Sequence, residues 1–192
     1  MVDHYTNICV GEIGRGHLNI YKQILVGVKA ANTPYVAMAE DDILYSFDHF
    51  HTYRPKHDRF AYGMSKWSLF TWTKPPLFSF RNRRMVVNSL IAKRDMLLAA
   101  LTERFQKYPD ESKIDLSKWG DPGRYEQILG VTVHEREEFW PITPNIVFSH
   151  EHAFGYLSRG TRKRLGDLRA IELPYWGRAE DILNLYYDPT GN

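Results

Sequence analysis

Pro34-Tyr-Val-Ala-Met-Ala-Glu-Asp-Asp-Ile-Leu-Tyr45 is the stretch whose reading decides the fold. Tyr35 to Ala39 is an apolar, partly β-branched run, short enough for a buried strand. It ends in adjacent carboxylates, Glu40, Asp41 and Asp42, and a second apolar patch follows at Ile43-Leu44-Tyr45. Acids at the carboxyl end of a buried strand sit where open α/β sheets bind their ligands. Neighbouring like charges make one another harder to ionise, so a cation is expected among them. Hard oxygen donors suit Mg²⁺ or Mn²⁺, which bind through one or two carboxylates plus substrate phosphates. The competing account is a solvated acidic turn after a strand.

Upstream, Asn7-Ile-Cys-Val-Gly-Glu-Ile13 reads as a strand and Gly14-Arg15-Gly16 as a loop. Leu18 to Ala31 follows with Leu18, Tyr21, Ile24, Leu25 and Val28 at helical spacing, and Asn32-Thr33-Pro34 ends it. Strand, loop, helix and strand make a βαβ unit, which predicts parallel pairing with a right-handed crossover. Gly14 and Arg15 before a helix suit a phosphate, although a full glycine fingerprint is missing.

Downstream, short strands are expected at Phe60–Tyr62, Trp67–Trp72, Leu77–Phe80 and Val86–Ala92, with a helix from Met96 to about Lys107. Pro122 to Leu129 reads as a short helix, Asn145 to Ser149 as a strand, Gly160 to Gly166 as a basic loop or short helix, and Glu180 to Tyr187 as a closing helix. The fold class is α/β: a mixed but mainly parallel sheet flanked by the helices at 18–31 and 96–107. One domain over residues 1–192 is expected, because no repeat, low-complexity segment or linker interrupts it.

Composition narrows the function classes. The chain has 192 residues, 43% hydrophobic and 25% charged, ordinary values for a globular protein with a sizeable core. A net charge of +2 sets up no global field for nucleic acid, although Arg81 to Arg84 and Arg159 to Arg169 cluster basic side chains. A single cysteine, Cys9, excludes an internal disulfide and suits a reducing compartment. With no apolar run near membrane-spanning length, a cytoplasmic protein is expected.

The order of these pieces resembles the catalytic domain of a GT-A fold glycosyltransferase, similar to the small family 2 type of bacteria and phages. Glu40-Asp41-Asp42 resembles the acidic motif that grips a nucleotide-sugar diphosphate. Asn88-Ser-Leu-Ile-Ala-Lys-Arg94 resembles the segment that closes over the donor sugar. Gly123-Arg-Tyr-Glu-Gln-Ile-Leu129 resembles the helix start that carries the catalytic carboxylate. Phe148-Ser-His-Glu-His152 resembles the late strand that returns a metal-binding histidine to the acids. There are departures from the pattern. Family members begin with a further strand, helix and nucleotide-binding loop, so the resemblance implies a shortened N-terminus. The usual Glu-Asp pair, in which the Asp acts, is Glu126-Gln127 here.

The resemblance implies transfer of a sugar from a nucleotide-sugar donor, a UDP-sugar by preference, to an acceptor hydroxyl on a glycan or a modified DNA base. Asp42 is the expected direct ligand of Mn²⁺ or Mg²⁺, with Glu40 and Asp41 reaching the ribose or the metal through water. His150 or His152 supplies the third protein contact; a surface loop pair is the competing account of these histidines. Arg162 and Lys163 are placed to neutralise phosphate oxygens, or else form a solvated basic face. Glu126 is the expected base, with Asp121 second, and attack assisted by such a base inverts the anomeric centre. Trp67, Trp72, Trp119 and Trp176 suit a sugar-stacking cleft or the core. Two other classes stay open: a metal-dependent phosphoryl-transfer enzyme or hydrolase, which would want a second acid cluster, and a non-catalytic nucleotide or nucleic-acid binding module.

Overall fold

The helix expected after Gly16 forms as α1, His17–Ala30, because Leu18, Tyr21 and Val28 recur on one face and are each only 2% exposed. Its last carbonyls are not left bare: the Arg94 guanidinium donates to Val28 O at 3.2 Å and Lys29 O at 3.4 Å. This computed structural model describes residues 5–14, 16–56, 58–80, 85–109, 120–150, 157–158, 161–162 and 165–187.

The strands are β1 (Tyr35–Ala37), β2 (Ile43–Leu44), β3 (Arg59–Gly63), β4 (Lys66–Phe70), β5 (Leu77–Phe80), β6 (Leu90–Lys93), β7 (Glu135–Phe139), β8 (Asn145–Ser149), β9 (Leu157–Ser158), β10 (Thr161–Arg162), β11 (Leu168–Ala170), β12 (Glu172–Leu173) and β13 (Gly177–Arg178). The further helices are α2 (Phe47–His51), α3 (Arg94–Lys107), α4 (Glu126–Leu129) and α5 (Ala179–Tyr187). The chain divides into two units: Met1–Met38 with Arg54–Tyr62 and Leu90–Glu137, and Ala39–Tyr53 with Gly63–Ser89 and Glu138–Asn192.

The first unit is built on a sheet in the order β1-β6-β3-β7, in which β6 pairs antiparallel with both β1 and β3. Helices α1 and α3 pack on each other, and α3 packs on β6. Leu97, Ala100 and Leu101 of α3 are buried. The second unit is built on a sheet in the order β11-β5-β4-β8-β2. Its core joins Leu69, Phe78, Ile146 and Phe148 to Leu173, Ala179 and Ile182, so α5 is docked by its buried face. The α/β class with mixed sheets flanked by helices stands.

The mainly parallel sheet does not. β4 and β8 run parallel, whereas β1–β6, β3–β6, β4–β5, β5–β11 and β2–β8 are antiparallel. The expected first strand, Asn7 to Ile13, is absent: residues 5–14 carry no strand. Gly11 sits at φ +70° and the Ile13 N–H turns back to Gly11 O, which breaks the extended run. Without that strand, α1 connects no parallel pair and the βαβ unit is not formed. Val86 to Ser89 also departs from the expected strand. Ser89 N–H and its hydroxyl both bond Val86 O at 3.0 Å, closing a 3₁₀ turn before β6. Within the Gly160–Gly166 stretch, Thr161–Arg162 form β10, which pairs antiparallel with β9.

Candidate functional site

The second unit gathers Glu40 to Asp42, Asn88 and Phe148 to His150 from the segments singled out in the sequence. β4 and β8 are parallel in register from Lys66↔Asn145 to Phe70↔Ser149, so His150 leaves the sheet at the carboxyl end of that pair. β2 lies antiparallel on β8 with Ile43 opposite Val147, and the Phe148 N–H donates to Asp42 O at 2.9 Å. The ladder therefore sets Asp42 beside the strand end. Its Oδ2 stands 3.9 Å from His150 Nε2, and both side chains are about one-fifth exposed (21% and 18%).

Glu40 is folded back into a small closed network. Its N–H donates to the Tyr45 hydroxyl at 3.0 Å, that hydroxyl donates to Asn88 O at 2.8 Å, and Asn88 Nδ2 donates to Glu40 Oε2 at 3.1 Å. Burial pushes the Glu40 carboxyl up from the ordinary range, and the charges of Asp42 and Asp41 push the same way; the Asn88 bond and Lys66 act against them. Asn88 is 8% exposed, and its Oδ1 is buried with no hydrogen-bond partner among the described residues. A buried acceptor of that kind is costly to leave unmade. The cation expected among the acids is partly built in: Lys66 acts on Glu40 and donates to Ser89 Oγ at 2.9 Å.

Beneath this network lies His49, fully buried. Asn145 fixes its tautomer: Asn145 Oδ1 accepts the Ser46 N–H at 3.0 Å, which turns Asn145 Nδ2 toward His49 Nδ1 at 3.1 Å. Nδ1 is thus the acceptor and Nε2 carries the proton. Burial, helped by Lys66, lowers the imidazole to about 4.

Two ligands of one Mg²⁺ or Mn²⁺, each about 2.1 Å from it, stand at most about 4.2 Å apart. The Asp42–His150 separation of 3.9 Å lies inside that span. A hard carboxylate with an imidazole is also a donor set that Mn²⁺ accepts. Among the described residues, no three His, Cys, Asp or Glu side chains converge as a complete cage. His152 lies outside those residues, as do Arg15 and Lys163. Arg162 is described only as part of β10.

The expected bases belong to the first unit, and both are engaged there. Glu126 is 4% exposed and its Oε1 meets Arg104 Nη2 at 2.8 Å, with the Arg104 side chain wholly buried. The same oxygen accepts the Gly123 N–H, and Arg104 Nη1 donates to Gly120 O at 2.8 Å. Asp121 accepts the Tyr21 hydroxyl at 2.9 Å and faces Arg124 at 3.7 Å. Gly14 also lies in the first unit, at φ +75°, and its carbonyl accepts Asn19 Nδ2 at 3.1 Å.

The aromatic readings divide. Trp67 and Trp176 pack against the second unit's core, and Trp176 Nε1 donates to Pro144 O at 2.6 Å. Trp72 meets Phe70 edge-on, and Trp119 lies outside the described residues. Sequence reasoning missed Tyr45, Lys66 and Tyr186. Tyr45 lay within the decisive stretch; a lone Lys and a helical Tyr carry no local signal. No family model, no characterised protein and no solved structure matches the chain. Among the described residues, no helix is long and apolar enough to cross a membrane.

Proposed function

We propose that this chain is a metal-dependent glycosyltransferase that moves a sugar from a nucleotide-sugar, a UDP-sugar by preference, to a hydroxyl of a glycan or a modified DNA base. The observation that carries the reading is the Asp42–His150 pair, 3.9 Å apart at the carboxyl end of the parallel strands. Asp42 and His150 would hold Mn²⁺ or Mg²⁺, which supplies Lewis-acid stabilisation to a leaving diphosphate. Asn88 supports the reading independently, since its unmade Oδ1 acceptor suits a sugar or ribose hydroxyl. Glu40, locked by Asn88, is suited to orient that residue.

In this proposal a carboxylate removes the acceptor hydroxyl's proton, and the anomeric centre inverts. Glu126 is the base implied by resemblance and Asp121 its alternate. The ion pair with Arg104 favours a structural role for Glu126.

A panel of nucleotide-sugars with Mn²⁺ tests the proposal through release of nucleoside diphosphate. At least one donor should turn over, and Asp42→Asn should weaken Mn²⁺ binding by about tenfold or more while leaving the fold intact. No turnover across the panel, with Mn²⁺ affinity indifferent to Asp42→Asn, would overturn it.

A further inference from the structure

The C-terminal helix α5 brings one more group to the acids. Ala179 and Ile182 anchor it in the core of the second unit, with Leu183 and Tyr186 packed against that core. The Tyr186 ring lies on Phe148, with centroids 4.0 Å apart and planes 20° from parallel, so one aromatic face is covered. Tyr187 meets the same ring edge-on at 5.4 Å. On the site side, the His150 ring lies 6.4 Å away. Among the described residues, no hydrogen bond engages the Tyr186 hydroxyl.

A phenol whose ring is already stacked has its polar tip left for recognition. A phenol is protonated at neutral pH, so the Tyr186 hydroxyl is a donor. The carboxylates there only accept, whereas an O–H donates. The oxygens of a diphosphate are matching acceptors.

We propose that Tyr186 is a substrate-binding residue of this site: its hydroxyl donates a hydrogen bond to a diphosphate oxygen of the sugar nucleotide bound beside Asp42 and His150, which makes α5 part of the binding site. The inference rests on the glycosyltransferase reading. It adds that the C-terminal helix recognises the ligand instead of only closing the core.

The test is titration of the whole chain and of Tyr186→Phe with Mn²⁺ alone, and with UDP or GDP in the presence of Mn²⁺. Phenylalanine keeps the stack on Phe148, so melting should be unchanged. The expected result is a loss of about tenfold or more in nucleotide affinity, the scale of a hydrogen bond to a charged group, with affinity for Mn²⁺ alone unchanged. A merely structural role would move both affinities or neither, and either result overturns the proposal. If the parent binds a nucleoside diphosphate and Tyr186→Phe binds it equally, this inference falls alone. If the parent binds neither nucleotide, the inference and the glycosyltransferase reading fall together.

Discussion

Replacing Glu126 by Gln separates a buried structural ion pair from a catalytic base. The substitution keeps the size and one carbonyl oxygen but removes the charge opposite Arg104, whose side chain is 0% exposed. At a charge separation of about 4 Å and an effective dielectric of about 20, the lost attraction is about 4 kcal/mol. The amide oxygen still accepts from Arg104 and from the Gly123 N–H, which recovers about 1 kcal/mol. The net cost is about 3 kcal/mol, near the lower end of what breaking a buried pair usually costs. For a chain of this length that is a fall in Tm of about 6–12 °C.

Thermal and urea unfolding of Glu126→Gln, Arg104→Met and the double variant provide the assay. Arg104→Met should cost at least as much, since it also frees the Gly120 carbonyl that accepts from Arg104. The double variant should be less destabilised than the sum of the singles by about 1–2 kcal/mol, because neither buried charge is then left alone. A Glu126→Gln protein that melts within about 1 °C of the parent would refute the argument. If it also lost turnover by about 10²–10⁴, Glu126 would be restored as the base.

The remaining predictions concern the second unit. His49 is lowered to about 4 from an ordinary 6.5, so the unfolded chain takes up its proton first as pH falls. Its contribution is therefore complete above about pH 6.5 and lost between there and about pH 4, up to about 3 kcal/mol. Unfolding at pH 7 and pH 4.5 should show a smaller pH effect in His49→Gln, and an equal effect would exclude His49 as a source. Gly63→Ala should destabilise by about 1–3 kcal/mol through overpacking, because the added Cβ would meet His49 Cε1 at 2.8 Å and Phe139 Cζ at 3.1 Å. A melt unchanged from the parent would show that these rings can move aside.

What the sequence made legible was local pattern. The apolar faces of α1 and α3, the run Asn145–Ser149 and the acids after Tyr35–Ala37 appear where spacing and composition put them. The failures come from interactions that no short window contains. Asn7–Ile13 has the composition of a strand, yet Gly11 turns it before it can pair. A strand exists only through its partner, and partner choice also made most pairs antiparallel. Glu126 reads as a helix-start carboxylate, but its meaning depends on Arg104, 22 residues earlier in the chain. Tyr186 reads as one more apolar position on a closing helix, and only the stack on Phe148 brings it toward the acids. Asp42 and His150 were each legible as a polar residue beside a short apolar run. Their meeting was not: the run before Asp42 forms β1 of the first sheet, and it is β2, after Asp42, that pairs antiparallel with β8 and sets Asp42 3.9 Å from His150. The residue types at strand ends are therefore what the sequence carries by itself, and which of those ends meet is what only folding supplies.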